Sequence, residues 1–278
     1  MVQVVEMDGH DEQFAVRTAG CILMGRVRGA GPAVMLLHDA GMDRAVFDDE
    51  VIPLVDAGFR VAVPDLRGHG RSRPSATSPS AEVLERDVLA IMDELGMDRA
   101  ALVGQALGGT IAQGLAREHP ERVSALAVLG TAWNADRPVR SGPRAPEILG
   151  RVLSRCPTGR AALRRLADSA STTRRGRALA LRSLAALPAD RLRRTLAVVD
   201  EELGADPDRR VAAPTLLVCG AADDAGVLAS MRRWAAHDGL ALHEVPCAGH
   251  LVTVDAPDEV TGLLLGFLTG ALTGPERV

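Results

Sequence analysis

Residues 100–109 read Ala100-Ala101-Leu102-Val103-Gly104-Gln105-Ala106-Leu107-Gly108-Gly109, and the plan of the chain can be worked outward from them. The first four form a continuous apolar run, the pattern of a strand buried on both faces. The glycines that follow permit a sharp turn. A helix then extends to about Glu118. A buried strand that turns at once into a helix is one unit of a mainly parallel sheet with helices on its faces.

The same rhythm runs in both directions. Upstream, Phe14-Ala15-Val16 and Cys21-Ile22-Leu23-Met24 read as a leading antiparallel pair. Ala33-Val34-Met35-Leu36-Leu37 is a buried strand ending in His38-Asp39-Ala40-Gly41. Val61-Ala62-Val63-Pro64 is the next, followed by the loop Asp65-Leu66-Arg67-Gly68-His69-Gly70-Arg71-Ser72. Ser80 is placed to cap a helix that continues to about Leu95. Downstream, Ser124–Leu129 is a further strand. After Trp133 the strand rhythm stops, and residues 134–210 read as Arg-rich amphipathic helices broken by Gly and Pro. It resumes at Thr215–Gly220, passes through a helix containing Met231–Trp234 and a strand over Leu240–Val245, and ends in a helix from about Pro257 to Leu272.

At 278 residues, with 47% hydrophobic and 24% charged, the chain suits one large α/β domain with an insertion and is too apolar for disorder. No apolar stretch reaches the roughly 18 residues of a membrane helix. The start has no basic end followed by an apolar run, so a cytoplasmic location is expected. Cys21, Cys156, Cys219 and Cys247 form no CxxC or zinc-ribbon spacing, and Cys21 and Cys219 sit in apolar runs as inert core thiols. No cofactor or metal is expected: no glycine loop matches a phosphate cradle, and no ligand cluster is spaced for a metal. All 32 basic residues are arginine, a GC-rich codon signature compatible with a bacterial source. There is no tyrosine, which removes one common catalytic acid. Aromatics at 2% argue against a stacking surface for nucleic acid.

The net charge of −4 conceals an asymmetry. Residues 134–210 carry 17 Arg against 9 Asp and Glu, a balance of +8, and the remainder carries −12. Solvated helix faces explain this most simply. An anionic or carrier-linked small-molecule partner is the sharper alternative. A homodimer is a further expectation.

Taken in order and at these separations, the punctuating motifs resemble the α/β-hydrolase superfamily, most closely its small cap-bearing esterases, lactonases and C–C hydrolases. His38-Asp39-Ala40-Gly41 is similar to the HGxG turn, and residues 65–72 to the D-x-R-G-x-G-x-S loop. Gly104-Gln105-Ala106-Leu107-Gly108 stands where the family carries its G-x-S-x-G nucleophile elbow. Asp223, three residues after Gly220, and His250 in Ala248-Gly249-His250 match the acid and the histidine. The resemblance implies an α/β-hydrolase fold: a mostly parallel eight-stranded sheet, helices on both faces and a helical cap. Residues 1–133 and 211–278 would form the core and 134–210 the cap.

What the resemblance implies for chemistry is a Ser-His-Asp site. His250 would be the general base and then the acid, and Asp223 its orienting partner, with Asp224 the less favoured acid. The N–H groups of Ala40 and Leu107 would bind the oxyanion. Asp39 replaces the usual glycine. It either accepts backbone bonds in its turn or lies close to the pocket mouth, contacting a substrate hydroxyl or raising the pKa of His250. Met42, Gln105 and Trp133 are candidates for the substrate pocket, with core packing an alternative for Trp133. His38, Arg67 and His69 read as scaffold.

Ala106 departs from the pattern, because a methyl group cannot attack a carbonyl. Three readings follow. The first is a hydrolase of an ester, lactone, thioester or activated C–C bond whose serine has been replaced by alanine, inactivating it. The second is a natural enzyme using only His250 and Asp223 for proton transfer in an elimination, cyclisation or rearrangement. The third is a non-catalytic ligand-binding protein.

Overall fold

The computed structural model describes residues 5–7, 11–73, 79–136, 159–202 and 210–272. Its centre is the run that opens the sequence. β6 (Ala100–Gln105) is buried along its whole length because sheet neighbours lie on both sides and helices on both faces. The other strands are β1 (Val5–Met7), β2 (Asp11–Thr18), β3 (Cys21–Arg28), β4 (Ala33–Leu37), β5 (Arg60–Pro64), β7 (Val123–Leu129), β8 (Thr215–Gly220) and β9 (Leu242–Val245). Their order across the sheet is β1-β2-β3-β5-β4-β6-β7-β8-β9. β4 to β9 pair in parallel, while β1, β2 and β3 form an antiparallel wing joined to β5. The described sheet thus contains the expected eight strands and one short edge strand, β1.

Two apolar clusters sandwich the sheet. Alternation along β4 divides them: Met35 and Leu37 belong to one face, Val34 and Leu36 to the other. The first face is covered by α2 (Ala81–Glu94), α3 (Leu107–Glu118) and α7 (Ala225–Asp238), and the second by α1 (Asp48–Asp56) and α9 (Pro257–Leu272). A short helix, α8 (Val252–Asp255), precedes α9. Ser80 caps α2 through Oγ, which accepts from Val83 N–H at 3.3 Å.

Between β7 and β8 the chain forms α4 (Gly159–Ala170), α5 (Arg174–Ala185) and α6 (Ala189–Glu202). The remaining parts of the arginine-rich stretch, 137–158 with Cys156 and 203–209, lie outside the described residues. α6 buries Leu192, Thr195 and Val198 and packs on α2 and α3. Arg160, Arg164, Arg165, Arg193 and Arg194 are exposed, the arrangement of solvated helix faces. Cys21 and Cys219 are buried, and burial pushes both thiols up, away from thiolate chemistry. Among the described residues no helix is long and apolar enough to cross a membrane.

Candidate active site

The turn from β6 into α3 is tight for steric reasons that can be read atom by atom. A Cβ on Gly104 would lie 2.3 Å from the Gly108 carbonyl oxygen, and one on Gly108 would lie 2.0 Å from that of Leu37. One on Gly109 would meet the Thr131 hydroxyl at 2.2 Å. Only glycine lets strand and helix approach this closely. Ala106 is forced to φ 47°, ψ −108°, a region that disfavours side chains and costs about 1–3 kcal/mol. The surroundings fix it there. Its N–H donates to Leu129 O at 3.0 Å, and its carbonyl accepts from Thr110 N–H at 2.9 Å. The elbow has its strained backbone and lacks its hydroxyl.

The sheet's other arm delivers the histidine. Asp223 follows β8, and its side chain is 1% exposed. Its Oδ1 lies 2.9 Å from His250 Nδ1 and also accepts the Asp224 N–H at 2.7 Å. A Cβ on Gly220 would meet the carbonyl oxygens of Gly249 and Ala248 at 2.2 and 2.4 Å, so glycine at 220 lets the loop bearing His250 close onto β8. Asp224, the rival acid, caps α7 instead: its Oδ1 accepts from Gly226 N–H at 2.8 Å. Geometry separates the two neighbours, and only Asp223 has a contact with His250.

Asp39 takes a position that bears on everything else. Its Oδ1 accepts the Ala40 N–H at 2.5 Å and the Leu107 N–H at 3.3 Å. These are the two donors expected to bind an oxyanion, and a carboxylate oxygen now holds both. Leu107 begins α3, so the helix dipole favours an anion at the same point. Its Oδ2 lies 3.3 Å from His250 Nε2. His250 therefore has a carboxylate at each ring nitrogen. Burial works against charge on the ring, but Asp223 and Asp39 outweigh it and raise the His250 pKa well above 6.5. One side chain thus accepts a turn N–H and raises the pKa of His250.

The other candidates sort clearly. Gln105 is buried: its Nε2 donates to His250 O at 2.6 Å and its Oε1 accepts from Thr253 Oγ1 at 2.9 Å. Both ends of the amide are committed to the loop that presents His250. Trp133 stacks on Trp234 at 6.3 Å between ring centres and touches His237, so it packs against α7. Met42 is 3% exposed and shares an apolar cluster with Leu184 and Leu192 of α5 and α6, at the seam between sheet and inserted helices.

His38 and His69 are scaffold. Each uses Nδ1–H to donate to a carbonyl, Asp39 O and Arg67 O, and Nε2 to accept an N–H, from Leu66 and Gly41. Burial lowers both pKa values, that of His69 to about 3, so the rings stay neutral and serve as hydrogen-bond spacers. Arg67 forms a buried fork with Asp87, with both bonds at 2.6 Å.

One residue carried no signal in the sequence. Asp255, five residues after His250, accepts from Gly249 N–H at 2.8 Å, Thr172 N–H at 3.0 Å and Thr173 Oγ1 at 2.9 Å, and also from Ser171 Oγ. It ties the loop of His250 to the link between α4 and α5. Apart from Gly249, its partners lie more than eighty residues upstream, and no local pattern announces them. Among the described residues no group of three or more His, Cys, Asp or Glu is placed to hold a metal.

Known proteins share this architecture. The sequence profile described as "alpha/beta hydrolase fold" matches residues 32–142. Haloalkane dehalogenase 2 of Mycobacterium tuberculosis is 31% identical over 259 residues, covering 85% of this chain and 88% of that protein. Bifunctional epoxide hydrolase 2 of Sus scrofa is 35% identical over 112 residues, but the chain spans only 20% of its length. Among solved structures, the enol-lactonase of Burkholderia xenovorans LB400 superposes with a TM-score of 0.73 at 26% identity, over 92% of this chain and 99% of that one.

Proposed function

The chain belongs to the α/β-hydrolase family, and on that premise we propose that it is a small-molecule enzyme whose reaction is run by proton transfer at His250, held by Asp223, with no covalent step at residue 106. The position of Asp39 carries this reading. Serine-type hydrolysis needs a hydroxyl at the elbow and two free N–H donors where the substrate's carbonyl oxygen becomes negative. Here residue 106 is alanine, and the Ala40 and Leu107 N–H groups already hold Asp39 Oδ1.

Loss of a serine alone would leave the oxyanion hole open, so a hydrolase merely inactivated at position 106 fits less well. The reactions open to such a site need an acid and a base without an acyl-enzyme at the elbow. They are eliminations, cyclisations and rearrangements, or hydrolyses whose covalent partner is another residue. A small-molecule pocket under a cap formed by residues 134–210 completes the proposal.

Reaction with a fluorophosphonate probe tests it. Ala106→Ser alone should stay unlabelled, because Asp39 occupies the hole and pairs with His250. Ala106→Ser with Asp39→Gly should label. Labelling of the single Ala106→Ser variant at the rate of an ordinary serine hydrolase would overturn the reading.

A further inference from the structure

We propose that Asp39 is the covalent nucleophile of this site, attacking a saturated carbon whose leaving group is a ring oxygen that must be protonated as it departs. The inference rests on the reading above that residue 106 is chemically silent and that His250 moves protons.

The two oxygens of Asp39 are not equivalent. Oδ1 is held by the Ala40 and Leu107 N–H groups, and Oδ2 faces the edge of His250 at 3.3 Å. A carboxylate oriented in this way has one oxygen free to form a bond and the other already where negative charge would later need stabilising. The side chains of Asp39 and His250 remain 11% and 25% exposed. The methyl group of Ala106 offers no rival nucleophile.

The state of His250 selects the leaving group. Each ring nitrogen faces a carboxylate oxygen, Asp223 Oδ1 at 2.9 Å and Asp39 Oδ2 at 3.3 Å, and a carboxylate can only accept. A ring with hydrogen on both nitrogens, an imidazolium, satisfies both contacts. An acid beside a nucleophile suits a leaving atom that is a poor anion, such as the oxygen of a strained cyclic ether. It adds nothing for a halide, which departs without a proton.

The cycle balances. Oδ2 forms a bond to carbon, the carbon–oxygen bond of the ring breaks, and its electron pair takes the proton from His250 Nε2. The result is a neutral alkyl ester of Asp39 with Oδ1 as its carbonyl oxygen. His250 has given up its proton and lost one of its two flanking charges, so it is now a base. It takes a proton from water, and the hydroxide adds to the Asp39 carboxyl carbon. Negative charge collects on Oδ1, between the two N–H groups. Collapse expels the product alkoxide, which takes the proton of the regenerated carboxylic acid. Asp39 is again a carboxylate and His250 an imidazolium. The sum is the addition of one water to one cyclic ether, giving a diol.

Two probes separate the steps. The full chain is incubated in H2(18)O with a panel of epoxides (styrene oxide, 1,2-epoxyhexane and cyclohexene oxide) and then digested for mass spectrometry. The proposal expects diol formation and gain of 18O in the peptide bearing Asp39. Asp39→Asn, checked for folding by circular dichroism, should lose at least 100-fold in rate and gain no label. In His250→Gln, 1-bromobutane should leave a stable butyl ester on Asp39, since halide departure needs no acid and hydrolysis lacks its base. Diol formed with Asp39 unlabelled overturns the proposal. So does the absence of both diol across the panel and adduct in His250→Gln. If Asp39→Asn keeps an activity that His250→Gln abolishes, the proton-transfer reading stands without this one. Labelling of Ala106→Ser by fluorophosphonate would remove the earlier reading on separate grounds.

Discussion

The two sides of the site differ in what holds them in place. On the side of β8 and β9, Asp223 and His250 meet through a 2.9 Å contact that serves no packing need of the core. On the side of β4 and β6, Gly104 and Gly108 of the elbow are dictated by contacts of 2.0–2.4 Å that any Cβ would make with backbone. Those contacts do not involve the side chain at position 106. The glycine pattern therefore reports how strand and helix pack, whatever chemistry sits between them. The acid and histidine instead form a polar pairing between two loops. Keeping these two kinds of signal apart explains how a chain can carry a complete elbow backbone and no elbow nucleophile.

The contrast can be broken most severely on the chemical side. His250→Gln should reduce turnover by about 10²–10⁴-fold, and Asp223→Asn by a similar factor, with folding intact. Steady-state kinetics beside a thermal melt checks this. Retained turnover in either variant would show that the pair is structural. The ionisation of His250 carries a sign of its own. Its folded pKa is raised, so its contribution to stability is fully present below pH 6.5 and lost as pH rises through the higher folded value. Removing one flanking charge with Asp39→Asn should move the imidazole titration down, as read by NMR of the ring protons.

On the structural side the largest effect belongs to the Arg67–Asp87 fork, whose side chains are 2% and 6% exposed. Asp87→Ala leaves the guanidinium buried, with Ala19 O and Thr18 Oγ1 among its remaining acceptors. The expected loss is about 3–5 kcal/mol in a denaturant melt. Activity per folded molecule should be preserved, because neither residue contacts Asp39, Asp223 or His250. A drop in turnover out of proportion to the folded fraction would mean that the loop over 65–72 shapes the site and does not merely support it.

How much of this was legible depended on whether the signal is local. The strands β4, β6, β7 and β8 are apolar runs buried on both faces, and their spacing reveals them. α3 and α9 declare themselves by glycine or proline at the start and apolar periodicity after it. Nothing in the apolar spacing marks α1: its buried residues are Glu50 and Leu54, and Pro53 lies inside it. Glu50 is fully buried, and burial pushes its carboxyl well above the usual range, so a residue that reads as surface is core. Asp223 and His250 stood out through their spacing from Gly220 and Gly249. Asp39 stood out as a departure, yet its bridge between two N–H donors and His250 depends on three elements that only folding brings together. The hydrogen bonds of Gln105 are hidden from the sequence for the same reason: its partners, His250 O and Thr253 Oγ1, lie about 145 residues away.

Asp255 joins the two regions, and its removal should give the smallest effect and the most specific. Its carboxylate gathers donors from Gly249 beside the histidine and from residues 171–173 in the link between α4 and α5. Burial tends to raise its pKa, but the hydrogen bonds from Ser171, Thr172, Gly249 and Thr173 outweigh this and lower it. Asp255→Asn keeps the shape but turns an NH2 group toward other donors, with an expected cost of about 1–2 kcal/mol at neutral pH. That cost follows the carboxylate. It is present above the ordinary carboxylate range and vanishes as pH falls through the lowered folded value, where wild type and variant should melt together. Hydrogen exchange adds a spatial readout: amides at 171–176 and 247–251 should lose protection together in the variant. If only one segment responds, the inserted helices and the histidine loop are independent, and those helices cannot transmit their position to His250 through this carboxylate.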